Sequence, residues 1–172
     1  EYLAFTGNVI EDPSLVVYRN TNLWVLPVKG GEPKNLTGGF DRTVGADGEL
    51  KWSPDSKYVY FKCDDLGTNH LYRVSLEGEV EKITDGRMKV GSFSMDDEGS
   101  KFAFTVTDAM TPSELWIKEG EGMRCLTEMN KGLLKGLRLI EPEEFWFTAS
   151  DGAKVQGWIV KPKGVKKGVK YP

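Results

Sequence analysis

Residues 50–86, LKWSPDSKYVYFKCDDLGTNHLYRVSLEGEVEKITDG, decide the fold that we predict for this chain. Within them are three short runs rich in aromatic and β-branched residues: 57–62, 71–76 and 80–84. Residues 64–67 (DDLG) and 77–78 (EG) separate these runs, and both segments have the composition of turns. Pro54 lies in front of the first run, and because proline cannot donate to a ladder it indicates a tight connection. The stretch therefore predicts short strands joined by turns.

The same pattern recurs along the chain, with landmarks about 41–44 residues apart. The later copies lie at residues 93–96, 101–104, 115–118 and 126–127, in the order of the first set. A shorter copy lies upstream, at residues 2–6, 23–26 and 36–39. A repeat of about 40–45 residues with four short strands is the signature of a β-propeller blade. An ordinary β-sandwich is the alternative, and four landmarks in the same order favour the propeller.

We accordingly expect an all-β fold, a partial β-propeller over residues 1–129. Its blades are placed at about 1–39, 40–86 and 87–129. Residues 130–144 are predicted to be a linker, since two glycines weaken any helix there. Asp151-Gly152 lies between two further strand-like runs in residues 145–172, and Asp-Gly between strands is a strong hairpin signal. This hairpin falls outside the repeat and belongs to a different unit.

Aromatic residues fill one slot of the repeat in each copy: Trp24, Tyr72 and Trp116. We expect these side chains to pack between blades, because buried aromatic residues normally contribute to core packing. Ligand stacking is the less favoured interpretation of the same positions.

The composition excludes several classes of protein. The net charge of −3 predicts no nucleic-acid partner, since such proteins usually carry a basic patch. The lysine-rich residues 163–170 are interpreted as a solvated loop. Apolar runs are far too short for a membrane helix, and the start of the sequence does not resemble a signal peptide. A cytoplasmic protein is expected.

The two cysteines, Cys63 and Cys125, fall in different slots of the repeat. Cys63 is predicted in the second strand of one blade and Cys125 in the fourth strand of the next. This placement makes a disulfide bridge improbable, and both are expected to be small core residues.

The number of repeats suggests that the sequence is part of a larger protein. The chain begins with Glu1 rather than Met and contains about three copies of the repeat. Closed propellers have about four to eight blades. An open row of blades exposes sheet faces and unpaired edges, so we expect self-association or association with the rest of the parent chain.

The sequence resembles the prolyl oligopeptidase family of serine peptidases, most closely its acylaminoacyl-peptidase branch. The resemblance rests on the TolB-like repeat WSPDSKYVYF, LYRV and ITDG; on the exit LTEMNKGLLKGLRLIEPEEFWFTASDG; and on the hairpin VQGWIVKPKG with the later KYP. The repeat alone is moderately specific, and its combination with the exit hairpin is much more specific. Together these segments cover nearly the whole chain.

The resemblance implies a parent with two domains. In that family a propeller covers an α/β-hydrolase domain and admits short peptides to a Ser-Asp-His triad. Residues 145–172 would be the first hairpin of the hydrolase domain. The function expected of this chain is therefore that of a non-catalytic fragment that gates access to a catalytic site outside it. A TolB-like binding or scaffold module without enzymatic activity is the alternative.

The chain itself contains no recognisable catalytic motif. It has no G-x-S-x-G nucleophile elbow. A Ser-His-Asp triad needs a histidine within hydrogen-bonding reach of the serine. The one histidine, His70, is predicted in a turn at a blade edge, with no serine motif nearby. We predict no catalytic residues in this chain.

No metal or cofactor site is predicted either. One histidine and two cysteines do not give a zinc pattern. Asp64-Asp65 and residues 96–98 (DDE) are interpreted as turn residues, because they lack a calcium-loop pattern. Glu143-Glu144 are adjacent carboxylates in a predicted extended segment, where neighbouring side chains point to opposite faces. They are not expected to act as an acid/base pair.

Overall fold

The strands of the central stretch form a complete four-stranded blade, which we call blade 2. The computed structural model describes residues 1–9, 14, 20–45, 47–165 and 168–169. Blade 2 is an antiparallel meander of strands β4 (Leu50–Trp52), β5 (Tyr58–Asp65), β6 (Thr68–Ser75) and β7 (Val80–Lys82). The predicted 64–67 turn is too long, because Asp64 and Asp65 still pair with β6 and only Leu66 and Gly67 turn.

The second copy of the repeat forms blade 3. Its strands are β8 (Lys89–Met95), β9 (Lys101–Thr107), β10 (Glu114–Glu119) and β11 (Gly122–Cys125). They again pair in sequence order, with an irregularity in β8 between Val90 and Phe93. Asp96 shapes the β8–β9 turn, since its Oδ1 accepts hydrogen bonds from the amides of Ser100 and Lys101. The predicted repeat is therefore confirmed as a structural repeat.

The upstream copy forms three strands, which we call blade 1. They are β1 (Tyr2–Gly7), β2 (Asn22–Pro27) and β3 (Lys34–Asn35), paired in the order β1-β2-β3. The apolar run at residues 15–18 lies outside the described residues. The predicted open, partial propeller is confirmed, since the described strands form blades in open sheets.

The blades are joined mainly by side-chain packing. Blades 2 and 3 share one parallel backbone pair, Asn69 with Lys89. Between blades 1 and 2 lies a core that includes Leu23, Val25, Leu36, Val59, Phe61 and Tyr72. Between blades 2 and 3 lies a second core that includes Tyr60, Leu71, Val90, Phe93, Phe102 and Phe104. Alternate residues of β5 and β6 thus serve opposite cores, as the two-residue period of a strand requires.

The prediction that the aromatic residues of the repeat pack between blades is confirmed in two of the three copies. Tyr72 stacks on Phe61 with ring centroids 5.8 Å apart, inside the core between blades 1 and 2. Trp116 packs against the core between blades 2 and 3. Trp24 faces away from blade 2, because Leu23 and Val25 on either side of it face blade 2. No described blade lies on the side that Trp24 faces, so the prediction for this residue stays untested.

Beyond blade 3 the chain forms one helical turn and a hairpin. Helix α1 (Lys131–Leu134) is a single turn, in line with the glycines of the predicted linker. Strands β12 (Glu143–Thr148) and β13 (Lys154–Ile159) pair only with each other among the described residues. The hairpin begins two residues earlier than the predicted linker boundary. Residues 171–172 and part of the lysine-rich run lie outside the described residues.

None of the helices in the described part of the chain is long and apolar enough to cross a membrane.

Candidate functional site

The hairpin packs on one end of the blades, and this junction is the candidate functional site. The β5–β6 turn lies under it, at Leu66 (φ 49°) and Gly67 (φ 73°). A side chain at Gly67 would meet the Trp158 ring, because a Cβ there would lie 2.9 Å from Trp158 Nε1. Gln156 Nε2 donates to the Leu66 carbonyl at 3.0 Å. The turn thus needs glycine both for its backbone conformation and for the close approach of the hairpin.

Arg87, in the connection between blades 2 and 3, makes three contacts with residues that follow blade 3. Its guanidinium lies 5.2 Å from the centre of the Trp158 ring. It also lies 3.4 Å from Glu141 Oε1 and 3.5 Å from Glu144 Oε2. Both ion pairs are long and about half of the Arg87 side chain is exposed, so each contributes little by itself.

Glu144 is held on the hairpin by its own neighbours. It accepts from Gln156 Nε2 at 3.0 Å and from Trp146 Nε1 at 2.6 Å. These bonds, with a smaller contribution from Arg87, lower the pKa of Glu144 below its usual value. Glu143 pairs with Lys161 instead. The two adjacent glutamates therefore bind different partners.

A cavity of about 470 Å³ lies at this junction, between the ends of blades 2 and 3 and the exit segment. It is large enough for a small ligand. Its lining combines apolar and charged side chains: Met88, Ala109, Met110, Pro142 and Trp158, with Arg87, Lys89, Asp108 and Glu141.

The β9–β10 loop forms one wall of the cavity and is shaped by Asp108. Asp108 Oδ1 accepts from the amides of Met110 at 2.8 Å and Thr111 at 2.7 Å. The Asp108 amide donates to the Thr111 carbonyl at 3.1 Å. This compact turn fixes the backbone of Met110 at the cavity.

A second polar cluster lies at the same end of blade 2, centred on Asp65. The Asp65 carboxylate binds Arg42 Nε at 3.2 Å, Tyr72 Oη at 3.0 Å and Lys82 Nζ at 3.3 Å. Burial raises the pKa of Asp65, but the bonds from Tyr72, Lys82 and Arg42 outweigh it, so the net shift is downward. Burial and the bond to Asp65 raise the pKa of Tyr72. The cluster ties the connection from blade 1 to three positions of blade 2.

The prediction for His70 is wrong in its location. His70 is the third residue of β6 and is 1% exposed, so it lies in a buried strand and not in a turn. Its Nδ1 lies 3.2 Å from Thr84 Oγ1, which also accepts from the Leu71 amide. Burial lowers the pKa of His70. These contacts hold β6 to the connection behind β7, which is a structural role.

The cysteines lie in the predicted strands, but only one is in the core. Cys63 is 1% exposed, and burial raises the pKa of its thiol to about 12. Cys125 is exposed, so its expected core position is wrong: it is the last residue of β11, which pairs on one side only among the described strands. Both thiols are free.

Among the described residues, no group of three or more His, Cys, Asp or Glu side chains could hold a metal ion. Arg87, Gly67 and Trp158 were not identified from the sequence. They are separated by 20 to 91 residues and follow no local motif, so only the packing of the hairpin brings them together.

Known proteins similar in sequence to this chain are peptidases. An uncharacterized peptidase, YuxL, from Bacillus subtilis is 29% identical over 170 residues, which span 90% of this chain and 26% of the relative. Dipeptidyl-peptidase 5 of Porphyromonas gingivalis is 29% identical over 155 residues, which span 87% and 22% of the two chains. The chain thus spans about a quarter of the length of these relatives. No protein-family model matches it.

Solved structures give the same result. An acylaminoacyl peptidase in complex with Z-Gly-Gly-Phe-chloromethyl ketone matches with a TM-score of 0.77 and 27% identity, over 100% of this chain and 25% of its own. The acylaminoacyl peptidase of Pyrococcus horikoshii matches with a TM-score of 0.74 and 28% identity, over 95% and 24%. The β-propeller domain of the trilobed protease from Pyrococcus furiosus matches in fold, with a TM-score of 0.58 and 22% identity, over 76% of this chain and 38% of its own. The resemblance to prolyl oligopeptidase-type peptidases is confirmed.

Proposed function

We propose that this chain is the non-catalytic, propeller-bearing part of a serine peptidase of the acylaminoacyl-peptidase or prolyl-oligopeptidase type. In this proposal its blades restrict access of short peptides to a Ser-Asp-His site that lies outside the chain. The observation that carries the proposal is the hairpin β12–β13, which is not a blade and packs against the ends of blade 2 through Gln156 and Trp158.

Coverage of the similar structures supports this interpretation of the hairpin. The two acylaminoacyl peptidases match 95–100% of the chain, whereas the isolated propeller domain matches 76% of it. The matching region of the peptidases thus extends beyond the blades. A binding or scaffold propeller would not need a hairpin at this place, so the peptidase proposal explains more of the chain.

The inner rim of blade 2 supports a role in passage. The innermost strand of a blade lines the central channel of a propeller. Just before the innermost strand β4, Asp47 and Glu49 both pair with Lys62, whose side chain is 7% exposed. The net effect of these partners is to raise the pKa of Lys62, although burial alone would lower it. This rim is charged and internally paired, which suits an opening that fixes its width without binding tightly to what passes.

The test is an assay of the complete protein encoded by the gene. We expect it to hydrolyse short acyl-peptide anilides, with activity blocked by a serine-directed phosphonate and falling with peptide length. The 172-residue chain should be inert.

Asp65→Asn, which loosens the attachment of blade 1 to blade 2, should raise kcat/KM of the complete protein for longer peptides relative to short ones. Asp64→Asn is the matched control, because Asp64 is exposed and, among the described residues, only Asn69 donates a hydrogen bond to its carboxylate.

Phosphonate-sensitive turnover by the 172-residue chain would contradict the assignment of the catalytic site to a region outside it. No serine-dependent hydrolysis by the complete protein would instead favour the binding-module alternative.

Association through open blade faces is part of the proposal. Leu3 and Phe5 are 58% and 40% exposed, and they share the outer face of blade 1 with Trp24 and Leu26. Such a face is an attractive surface for the rest of the parent or for a second copy of the chain. Sedimentation should show association of the 172-residue chain that Phe5→Lys weakens, and a monodisperse monomer at all concentrations would contradict this.

The cytoplasm is the proposed setting. Both thiols are free and Cys125 is exposed. Exposed thiols persist in reducing compartments, whereas those of secreted proteins tend to be oxidised.

A further inference from the structure

The cavity at the junction of the blades and the hairpin has the chemistry of a carboxylate site. We propose that it binds the carboxyl-terminal residue of a short peptide, with the carboxylate at Arg87 and Lys89 and an apolar side chain against Met110 and Trp158. This inference rests on the proposed function, because that function supplies short peptides as ligands.

The two cations of the cavity have donors to spare. None of the ion pairs recorded among the described residues includes Lys89, whose side chain is exposed. Arg87 contacts Glu141 and Glu144 only at 3.4–3.5 Å, longer than a normal N–H···O bond. A guanidinium has five N–H donors, so most of those of Arg87 remain available to a carboxylate.

Both anions of the cavity already have partners. Asp108 Oδ1 already accepts two backbone amides, from Met110 and Thr111. Glu141 Oε1 faces Arg87. The two positive and two negative side chains of the cavity balance in formal charge, and Lys89 is the one for which the described residues supply no partner. A ligand carboxylate would supply that partner, so the cavity favours an anionic over a cationic ligand.

The apolar wall explains why the ligand should carry a large side chain. Trp158 is 40% exposed although its ring lies beside Gly67 and Arg87. Met110 and Pro142 line the same space. An aromatic or long aliphatic side chain would cover this surface, and a volume of about 470 Å³ holds one to two residues.

The experiment is a titration of the isotopically labelled 172-residue chain with N-acetyl-Gly-Phe, followed by amide chemical shifts. We expect saturable shifts at residues 87–89, 108–110 and 158. N-acetyl-Gly-Phe amide, which lacks the carboxylate, should bind about tenfold more weakly. Lys89→Gln should weaken binding of the acid about threefold and leave binding of the amide unchanged. Lys57→Gln, in an exposed turn at the other end of blade 2, is the control and should change neither.

Three outcomes would overturn the inference: no saturable shifts, shifts confined to other residues, or equal affinity for the acid and the amide. Equal affinity for 3-phenylpropionate would overturn the assignment to peptides and leave a site for organic acids. These results do not depend on catalysis. Hydrolysis by the complete protein without binding here would refute this site alone, and binding here without hydrolysis would refute the proposed function alone.

Discussion

Blade 2 and the hairpin β12–β13 are built from similar residues but differ in how far their side chains are buried. Strand β5 reads YVYFKCDD and β12 reads EEFWFT, both rich in aromatic residues. Five consecutive residues of β5 are buried, whereas all six of β12 are exposed. The difference is that β5 lies between two blades, each of which covers one face. The pattern of aromatic and β-branched residues favours a strand in both places. Whether that strand is buried depends on the layers that pack against its two faces.

The hairpin consequently depends on contacts that are few and polar. An isolated two-stranded hairpin is at best marginally stable in water. In the described part of the chain it is held by Arg87, by the bond from Gln156 to Leu66 and by the approach of Trp158 to Gly67. We therefore expect blade 2 to unfold only when the blades unfold globally. The hairpin should open locally while the blades stay folded.

The largest expected effect comes from truncating a buried side chain in the core between blades 1 and 2. Phe61 is 0% exposed and stacks on Tyr72, so Phe61→Ala should lower the free energy of unfolding by about 3–5 kcal/mol. Phe147 in β12 is 51% exposed, so Phe147→Ala should cost less than about 1 kcal/mol. Urea denaturation of the two variants measures both. Equal losses would show that the hairpin is as well packed as the blade.

The second largest effect on the free energy of unfolding is expected at the Asp65 cluster. Asp65→Asn removes the charge that binds Arg42 and Lys82 and should lower the free energy of unfolding by about 1–3 kcal/mol. Asp64→Asn, at the exposed neighbouring position, should change it by less than about 0.5 kcal/mol. Thermal and urea midpoints of the two variants give the comparison. A neutral Asp65→Asn would mean that the cluster does not stabilise blade 2.

A smaller, pH-dependent effect is expected where the chain leaves blade 3. Glu114 is 5% exposed and accepts from Thr127 Oγ1 at 2.5 Å and from the amides of Asn130 and Met129 at 2.8 and 3.0 Å. These bonds, with Thr127 first, lower its pKa from 4.5 to about 2. Because the folded pKa is lowered, the stabilisation is complete above about pH 4.5 and is lost as the pH falls towards 2.

The matched measurement compares the Glu114→Gln variant with the unsubstituted 172-residue chain across that range. The urea midpoint of the variant should be lower at pH 7, and the two midpoints should converge towards pH 2. A difference that stays constant between pH 7 and pH 2 would contradict the role of the carboxylate.

The smallest effect on overall stability should come from Arg87→Gln. Its ion pairs are long and half-exposed, so the free energy of unfolding should fall by less than about 1 kcal/mol. Opening of the hairpin should nevertheless increase, seen as faster proteolytic cleavage between β12 and β13. Lys101→Gln, which removes an exposed ion pair within blade 3, is the control and should leave cleavage unchanged. Equal cleavage of both variants would remove Arg87 from the attachment of the hairpin.

The sequence is sufficient to predict most of the strands because the repeat carries its own turn chemistry. Pro54, Asp96 and the glycines mark where strands end, and alternation marks their two faces. It is not sufficient for His70, which is polar and follows a turn yet is buried, because its partner Thr84 lies fourteen residues away. It also fails for Cys125, since the position of a strand at the edge of the sheet decides its exposure.

The candidate site was the least predictable part of the molecule. Gly67 fits any turn, and only the Trp158 ring shows why a side chain there would clash. Arg87 has no motif, and its partners lie more than fifty residues further along the chain. The site depends on how the hairpin rests on the blades, and local patterns do not encode that contact.

Hydrogen exchange resolved to single residues tests most directly the claim that the hairpin belongs to a second unit rather than to the propeller. In the 172-residue chain, the amides of β5 and β6 should be strongly protected and those paired between β12 and β13 should exchange rapidly. In the complete protein the hairpin should become protected as well. Protection of the hairpin equal to that of blade 2 in the 172-residue chain would contradict the account.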